Sequence, residues 1–273
     1  MNAAGKIALV TGSTDGVGRM VARRLADQGA RVLIHGRNRD RGRELLQQIE
    51  ADGRGSAVFL PADLSSLAEV RRLADLVRQH CNRLDLLINN AGIGSAGAAG
   101  ERQTSADGHE LRFAVNYLAG FLLTRLLLPL VVLNKPARVV NVASLAQQAI
   151  DFDDVMLRRG YTGGRAYAQS KLAQIMFTFD LAREFDAKIV TANCLHPATY
   201  MATTMVRQSG VTPISTIEEG AEAILNLAVS QELDGHSGAF YNGLRPSTAN
   251  AQAYDVDARE RLRLVSMRLT GQA

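Results

Sequence analysis

Apolar residues along the first third of the chain gather in short runs at 6–10, 32–34, 57–60 and 84–88. Each run is of strand length and ends in glycine or polar residues. Between them, the stretches up to Gly29, from Arg39 onward and over 66–79 repeat apolar side chains at helical spacing. Ser66-Leu67-Ala68-Glu69 reads as a capping box opening the third of these helices. The rhythm continues with a long helix over 111–133, a strand over 138–142, a helix over 165–184 and a strand over 188–194. Repeated alternation of this kind predicts an α/β fold, a parallel sheet covered by helices on both faces. Two stretches interrupt it. Residues 147–164 are too long and polar for an ordinary connection and are expected to be a functional insertion. Residues 197–216 are irregular and are expected to close over a substrate. No linker separates the halves, so residues 1–273 are expected to form a single domain.

Composition narrows the class. The 273 residues are 47% hydrophobic and 21% charged, with a formal net charge of +4, which suits an ordinary globular protein and argues against disorder. Arginines crowd the first sixty positions, but Asp27, Asp40, Glu44, Glu50 and Asp52 are interspersed among them. A local phosphate site therefore fits better than a nucleic-acid or membrane surface. Cys81 and Cys194 lack metal-ligand spacing, as do the histidines at 35, 80, 109, 196 and 236, so neither a disulfide framework nor a metal is expected. Residues 117–133 are the most apolar stretch but include Arg125 and Pro129, which reads as a buried or interface helix instead of a membrane span. Its surplus of apolar surface predicts a helix-packed homodimer or homotetramer. With no secretion signal at the start, the expected location is cytoplasmic.

The first strand runs into Thr11-Gly12-Ser13-Thr14-Asp15-Gly16-Val17-Gly18 and then a helix. Exposed backbone N–H groups at such a helix start, with glycines allowing close approach, favour a phosphate. After the second strand comes His35-Gly36-Arg37-Asn38. An acidic residue there suits a free ribose, whereas Arg37 suits a ribose carrying a 2′-phosphate and points to NADP(H) over NAD(H). The competing reading of Arg37 is a solvated arginine at a helix start. Asp15 would oppose the extra phosphate if it faced inward.

Joined to Asn89-Asn90-Ala91-Gly92, Asn116, Ser144 and Tyr167-Ala168-Gln169-Ser170-Lys171, this turn completes an ordered set that resembles the short-chain dehydrogenase/reductase family along nearly the whole chain. The 23 residues from Ser144 to Tyr167, and Ser237-Gly238-Ala239-Phe240-Tyr241 before a terminal helix, are most similar to its retinol-dehydrogenase-like members. Ala198 after Pro197, and a C-terminal helix without tryptophan, depart from the family pattern. The resemblance implies a Rossmann-like, doubly wound parallel sheet of about seven strands. It also implies that the glycine turn, Arg37, Asn38, Asp63, Leu64, Asn90, Ala91, Gly92, Pro197 and Thr199 line the cofactor, together with Tyr167 and Lys171.

Tyr167 and Lys171 stand four apart on a predicted helix and share a face. A tyrosine pKa near 10 is too high for an efficient base. A cation about 5 Å away at an effective dielectric near 20 contributes roughly 3 kcal/mol, or about two pKa units, so lysine is expected to lower Tyr167. The resemblance implies that Tyr167 exchanges the proton, Lys171 also binds the nicotinamide ribose, Ser144 holds the reacting oxygen and Asn116 positions a water leading to Lys171.

Other residues admit two readings. Asp63 either meets the adenine amino group or caps a helix beside Ser65 and Ser66. Asn89 to Gly92 either line the cleft or form a structural turn. Met201 and Met205 form an adaptable apolar wall or pack in the core. Asp151, Asp153, Asp154, Arg158 and Arg159 read as a solvated face. The expected partner is a small alcohol or carbonyl compound, the reaction an NADP-preferring oxidoreduction. The alternative is a catalytically silent NADP-binding sensor, which damage at Tyr167 or Lys171 would have favoured. A nucleotide-sugar epimerase fits poorly with the glycine spacing.

Overall fold

Strands apolar on both faces must be covered on both sides, and the structure does this. It is a computed structural model that describes residues 2–95, 101–133 and 135–272. Strands β1 (Ile7–Val10), β2 (Arg31–Gly36), β3 (Ser56–Pro61), β4 (Leu86–Asn89), β5 (Ala137–Val142), β6 (Val190–His196), β7 (Phe240–Asn242) and β8 (Arg245–Ser247) form one sheet in the order β3-β2-β1-β4-β5-β6-β7-β8. The first seven run parallel. The short β8 returns antiparallel from β7 through a turn at Gly243, whose φ is +58°. Its Arg-Pro-Ser sequence has no apolar alternation, and it is one strand more than the about seven that the family resemblance implied.

Side chains alternate strictly between two cores. Leu9, Leu33, Leu87 and Val139 face one layer, with α3 (Leu67–His80), α4 (Ala119–Val132), α5 (Gly163–Glu184) and α8 (Val256–Thr270). Val10, Ile34, Ile88 and Val140 face the other, with α1 (Gly16–Asp27), α2 (Arg39–Asp52) and α7 (Ile217–Val229). Strand order reverses between β1 and β4, so the chain leaves these two strands in opposite directions and opens a crevice at their carboxyl ends.

Several elements differ from the sequence-based reading. The long helix opens with a π-helical turn, Phe113–Leu118, before α4 begins. Phe113–Val132 is long and apolar enough, by length and composition, to cross a membrane, with 61% of the window buried inside the protein. Its apolar surface is partly covered by the chain's own C-terminus: Leu262 of α8 belongs to the same core, and the Tyr117 hydroxyl meets Ser266 Oγ at 2.7 Å. At α3 only half of the capping box forms. Ser66 Oγ accepts from Glu69 N at 3.4 Å, but the Glu69 carboxylate turns to Arg72 at 2.6 and 2.8 Å. A complete box stands instead at α7, between Thr216 and Glu219.

The insertion 147–164 is a tightly bonded surface element. Asp151 pairs with Arg165 at 3.0 Å, and the Asp154 carboxylate accepts from the backbone of Arg158 and Arg159 at 2.9 and 2.8 Å. Those bonds hold Asp154 below the usual carboxylate range. Two of the acids expected on a solvated face therefore organise the loop, whereas Asp153 remains exposed.

Candidate active site

The glycine turn is shaped by what it must avoid. Gly12 and Gly16 have φ of +65° and +54°, a region that favours glycine. A Cβ on Gly12 would stand 2.8 Å from Ala91 Cα, and one on Gly18 would collide with the Asn90 amide. Asn90 in turn donates to the carbonyls of Thr11 and Gly12 at 2.8 and 3.2 Å, while Thr11 Oγ1 accepts from Asn90 N and Ala91 N, both at 3.0 Å. The loops after β1 and β4 are thus laced into one wall.

Beneath the turn lies His35, to which the sequence alone assigned no role. Gly12 N donates to its Nδ1 at 3.1 Å, so the ring proton sits on Nε2 and donates to Ala62 O at 3.2 Å. Burial pushes His35 down to about 4. Ser13 is fully buried and its hydroxyl accepts from His35 N, and Val17 packs in the α1 core. Both therefore serve the turn with side chains facing inward.

Asp15 caps α1 through Gly16 N at 2.8 Å and pairs with Arg41 of α2 at 2.9 Å, so its charge is met by a guanidinium. Asn38 Oδ1 caps α2, accepting from Asp40 N and Arg41 N at 3.0 Å. Arg37 is an exposed cation of this corner, 69% accessible and 3.8 Å from Asp63. Asp63 does not cap α3, whose N-cap is Ser66. Its Oδ1 instead accepts from Ser65 N at 2.9 Å. The Leu64 side chain is buried in the α3 core.

Across the crevice, β5 ends at Val142 and leads to Ser144, while α5 carries Tyr167 and Lys171 one turn apart. The Tyr167 hydroxyl is turned toward Ser144, and Lys171 Nζ lies 5.7 Å from the Tyr167 ring centre. Burial raises Tyr167 above its ordinary value, with the Ser144 hydroxyl opposing, and pushes Lys171 down to about 7. The expected lowering of Tyr167 by lysine is absent because desolvation penalises both charged forms more than the pair's attraction stabilises them. Lys171 Nζ donates to Val142 O and Gln174 Oε1, both at 2.9 Å.

Asn116 sits in the π-helical turn with its side chain committed. Oδ1 accepts from Ile93 N at 2.8 Å, and Nδ2 donates to Ile93 O at 3.1 Å and Ser170 Oγ at 3.0 Å. It joins the cleft segment beyond Gly92 to α5. Behind it, buried Arg112 binds the carbonyls of Gly94 and Ser95 and the Tyr161 hydroxyl at 2.9, 3.0 and 2.6 Å, and lies 3.6 Å from buried Glu110.

The stretch 197–216 crosses the crevice mouth. Thr199 Oγ1 meets His196 Nε2 at 3.0 Å, Tyr200 has φ +46°, and α6 (Thr204–Gln208) follows. Thr203 packs toward Gly16 and Met205 toward Gly94. Met201 instead packs against Gly220 of α7, so the two methionines diverge and form no shared wall. Met201 precedes the helix, which removes the four-residue helical spacing. Among the described residues no cluster of potential metal ligands occurs.

A doubly wound sheet, a glycine turn at its switch point and a Ser-Tyr-Lys group facing it define a dinucleotide-dependent oxidoreductase class. A sequence model of the short chain dehydrogenase family matches residues 6–212, and the chain belongs to that family. It is 34% identical over 279 residues to human retinol dehydrogenase 12, spanning 98% of this chain and 87% of that protein. Mouse polyprenol dehydrogenase is 36% identical over 286 residues, covering 98% and 84%. Among solved structures, the NADP complex of Pseudomonas aeruginosa RhlG superposes with a TM-score of 0.71 at 31% identity, over 88% of this chain and 95% of that one. The protein is therefore a short-chain dehydrogenase-type oxidoreductase that uses a nicotinamide cofactor.

Proposed function

We propose that the protein is an NADP(H)-preferring reductase or dehydrogenase of an uncharged, apolar alcohol, aldehyde or ketone. The observation that carries this reading is the convergence of Ser144, Tyr167 and Lys171 on the crevice that also bears Arg37. The residues present suit the cofactor: Gly12 and Gly18 let the turn pack directly onto Ala91 and Asn90 and lead into the start of α1, where backbone N–H groups favour a phosphate, and Arg37 has guanidinium surface available to a 2′-phosphate. The glycine turn, Asn90 to Gly92, Arg37, Asp63 and the backbone at Pro197 and Thr199 would hold it. Bound there, the cofactor supplies hydride to a carbonyl carbon or removes it from an alcohol.

Ser144 and Tyr167 orient the substrate oxygen between their hydroxyls, and Tyr167 gives that oxygen its proton in reduction. A tyrosine whose burial keeps it a neutral phenol is suited to donating. Lys171, in its ammonium form, stabilises the phenolate left behind. Asn116 acts by position, tying the cleft segment at Ile93 to α5. Support for an apolar substrate comes from exposed Leu145 beside Ser144, from Tyr200, Met205 and Ile214 in the crossing stretch, and from Leu244. Relatives named for retinol and polyprenol, both apolar alcohols, agree.

Fluorescence titration with NADPH and NADH, followed by a carbonyl screen with wild type and Tyr167→Phe, tests this. The expected outcome is tighter binding of NADPH, and turnover reduced by about 10²–10⁴ in the variant with NADPH affinity retained. Equal turnover in Tyr167→Phe, or no nucleotide binding, would overturn it.

A further inference from the structure

Gln174 is a buried amide on α5. It is 4% exposed, in a stretch of the helix where Leu172, Ala173, Ile175 and Met176 are fully buried. Packing alone has no use for an amide there, and burying one costs free energy unless its polar atoms are bound. Its Oε1 accepts from Lys171 Nζ at 2.9 Å, and the second acceptor is Val142 O at the same distance. The ammonium is thus held between a side chain of α5, which carries Tyr167, and the end of β5, which leads to Ser144. The crevice side is kept narrow: a Cβ on Gly92 would stand 3.4 Å from Nζ and 3.3 Å from Asn116 Oδ1.

We propose that Gln174 is a positioning residue that holds the Lys171 ammonium and sets the pH range over which the Tyr167–Lys171 pair works, an inference that rests on the functional reading of that pair. The chemistry of the amide matters. A carboxylate at this position would form an ion pair and draw the ammonium away from the crevice. An apolar side chain would leave Val142 O as the acceptor and favour the neutral amine. A neutral acceptor does neither, and keeps a buried lysine chargeable while leaving its charge uncompensated toward the cleft.

The titratable groups facing Nζ are few. Tyr167 approaches from α5, and His196 from the end of β6. His196 is held down to about 4 by burial and by Lys171 itself, so it is neutral where Lys171 titrates. From β5, the Gly92 segment and the π-helical turn come Val142 O, Gly92 and Asn116, none of which titrates. Burial pushes Lys171 down to about 7, so its charge changes near neutral pH.

The chain has four lysines, Lys6, Lys135, Lys171 and Lys188, so protein carrying carbon-13 lysine gives few side-chain signals. Loss of one in Lys171→Met assigns the site. NMR titration of that signal then reads the ammonium directly, without substrate. In Gln174→Met its midpoint is expected about one to two pH units lower than in wild type, and in Gln174→Glu at least about one unit higher. The alkaline limb of the kcat/KM profile should move in step. If Gln174→Met fails to fold, Gln174→Glu and Gln174→Asn carry the test. Folded variants that titrate at the wild-type midpoint overturn the proposal. Undiminished turnover in Tyr167→Phe and Lys171→Met would overturn the functional reading instead, since the NMR midpoint still reports whether Gln174 governs the ammonium.

Discussion

His35 shows how a single buried ring can fix a binding turn. Its Nδ1 accepts from Gly12 N and its Nε2 donates to Ala62 O, so protonation of Nδ1 would destroy the first bond. The folded protein holds His35 near 4, below the ordinary 6.5. The unfolded chain therefore takes up a proton first as pH falls. Stability from this ring is fully present above about pH 6.5, is lost progressively on acidification and stops changing below about 4. At about pH 5 the loss from His35 amounts to about 2 kcal/mol. His196, lowered to about 4 as well, adds in the same direction. Thermal melts at about pH 7.5 and about pH 5 should differ markedly in wild type and less in His35→Gln. A pH-independent Tm would refute the assignment.

At the scale of elements, the Glu110–Arg112–Tyr161 group joins the start of the π-helical turn, the cleft segment at Gly94 and Ser95, and the insertion. Glu110 also accepts from Phe113 N at 2.7 Å. Replacing Arg112 by Met would leave a buried carboxylate without its cation, a loss on the order of 3–5 kcal/mol. Denaturant unfolding should show that drop, and Glu110→Gln combined with Arg112→Met should recover part of it. Additive losses in the double variant would mean that the two side chains act independently.

The elements also explain what could be read from the chain beforehand. Strands β1, β2 and β4 carry unbroken apolar runs, and Tyr167 and Lys171 announce their shared face by spacing, so the sheet and the nearness of these two side chains were legible. Arg112 was not, because Ser95 and Tyr161 lie 17 and 49 positions from it and only folding brings them together. The π-helical turn has no pattern distinct from that of an α-helix. Gln174 carried one available signal, its place one turn beyond Lys171. The direction of the Tyr167 shift needed burial, which spacing does not report.

For the molecule as a whole, α8 lies over α4 and α5. Arg259 pairs with Asp180 of α5 at 2.7 Å, and Arg71 of α3 donates to Thr270 O at 2.5 Å. A second copy approaching the face around Tyr117, Phe121 and Phe177 would have to displace this helix. Ending the chain after Asp255 should therefore expose that apolar surface, lower the Tm and produce self-association visible by light scattering. A truncated protein with the Tm and mass distribution of a well-folded wild-type equivalent would show that α8 covers nothing that matters.

The insertion and the C-terminal region are bonded to one another across more than a hundred positions. Asn250 N donates to Gln147 Oε1 at 2.7 Å, Ile150 and Gln252 exchange bonds of 2.6 and 3.2 Å, and the Arg261 guanidinium stacks 4.6 Å over the Phe152 ring. The two segments behave as one cassette split by the chain. Grafting a relative's insertion into this scaffold to alter selectivity would import half of a matched surface, so a working chimera must exchange the C-terminal segment in the same cut.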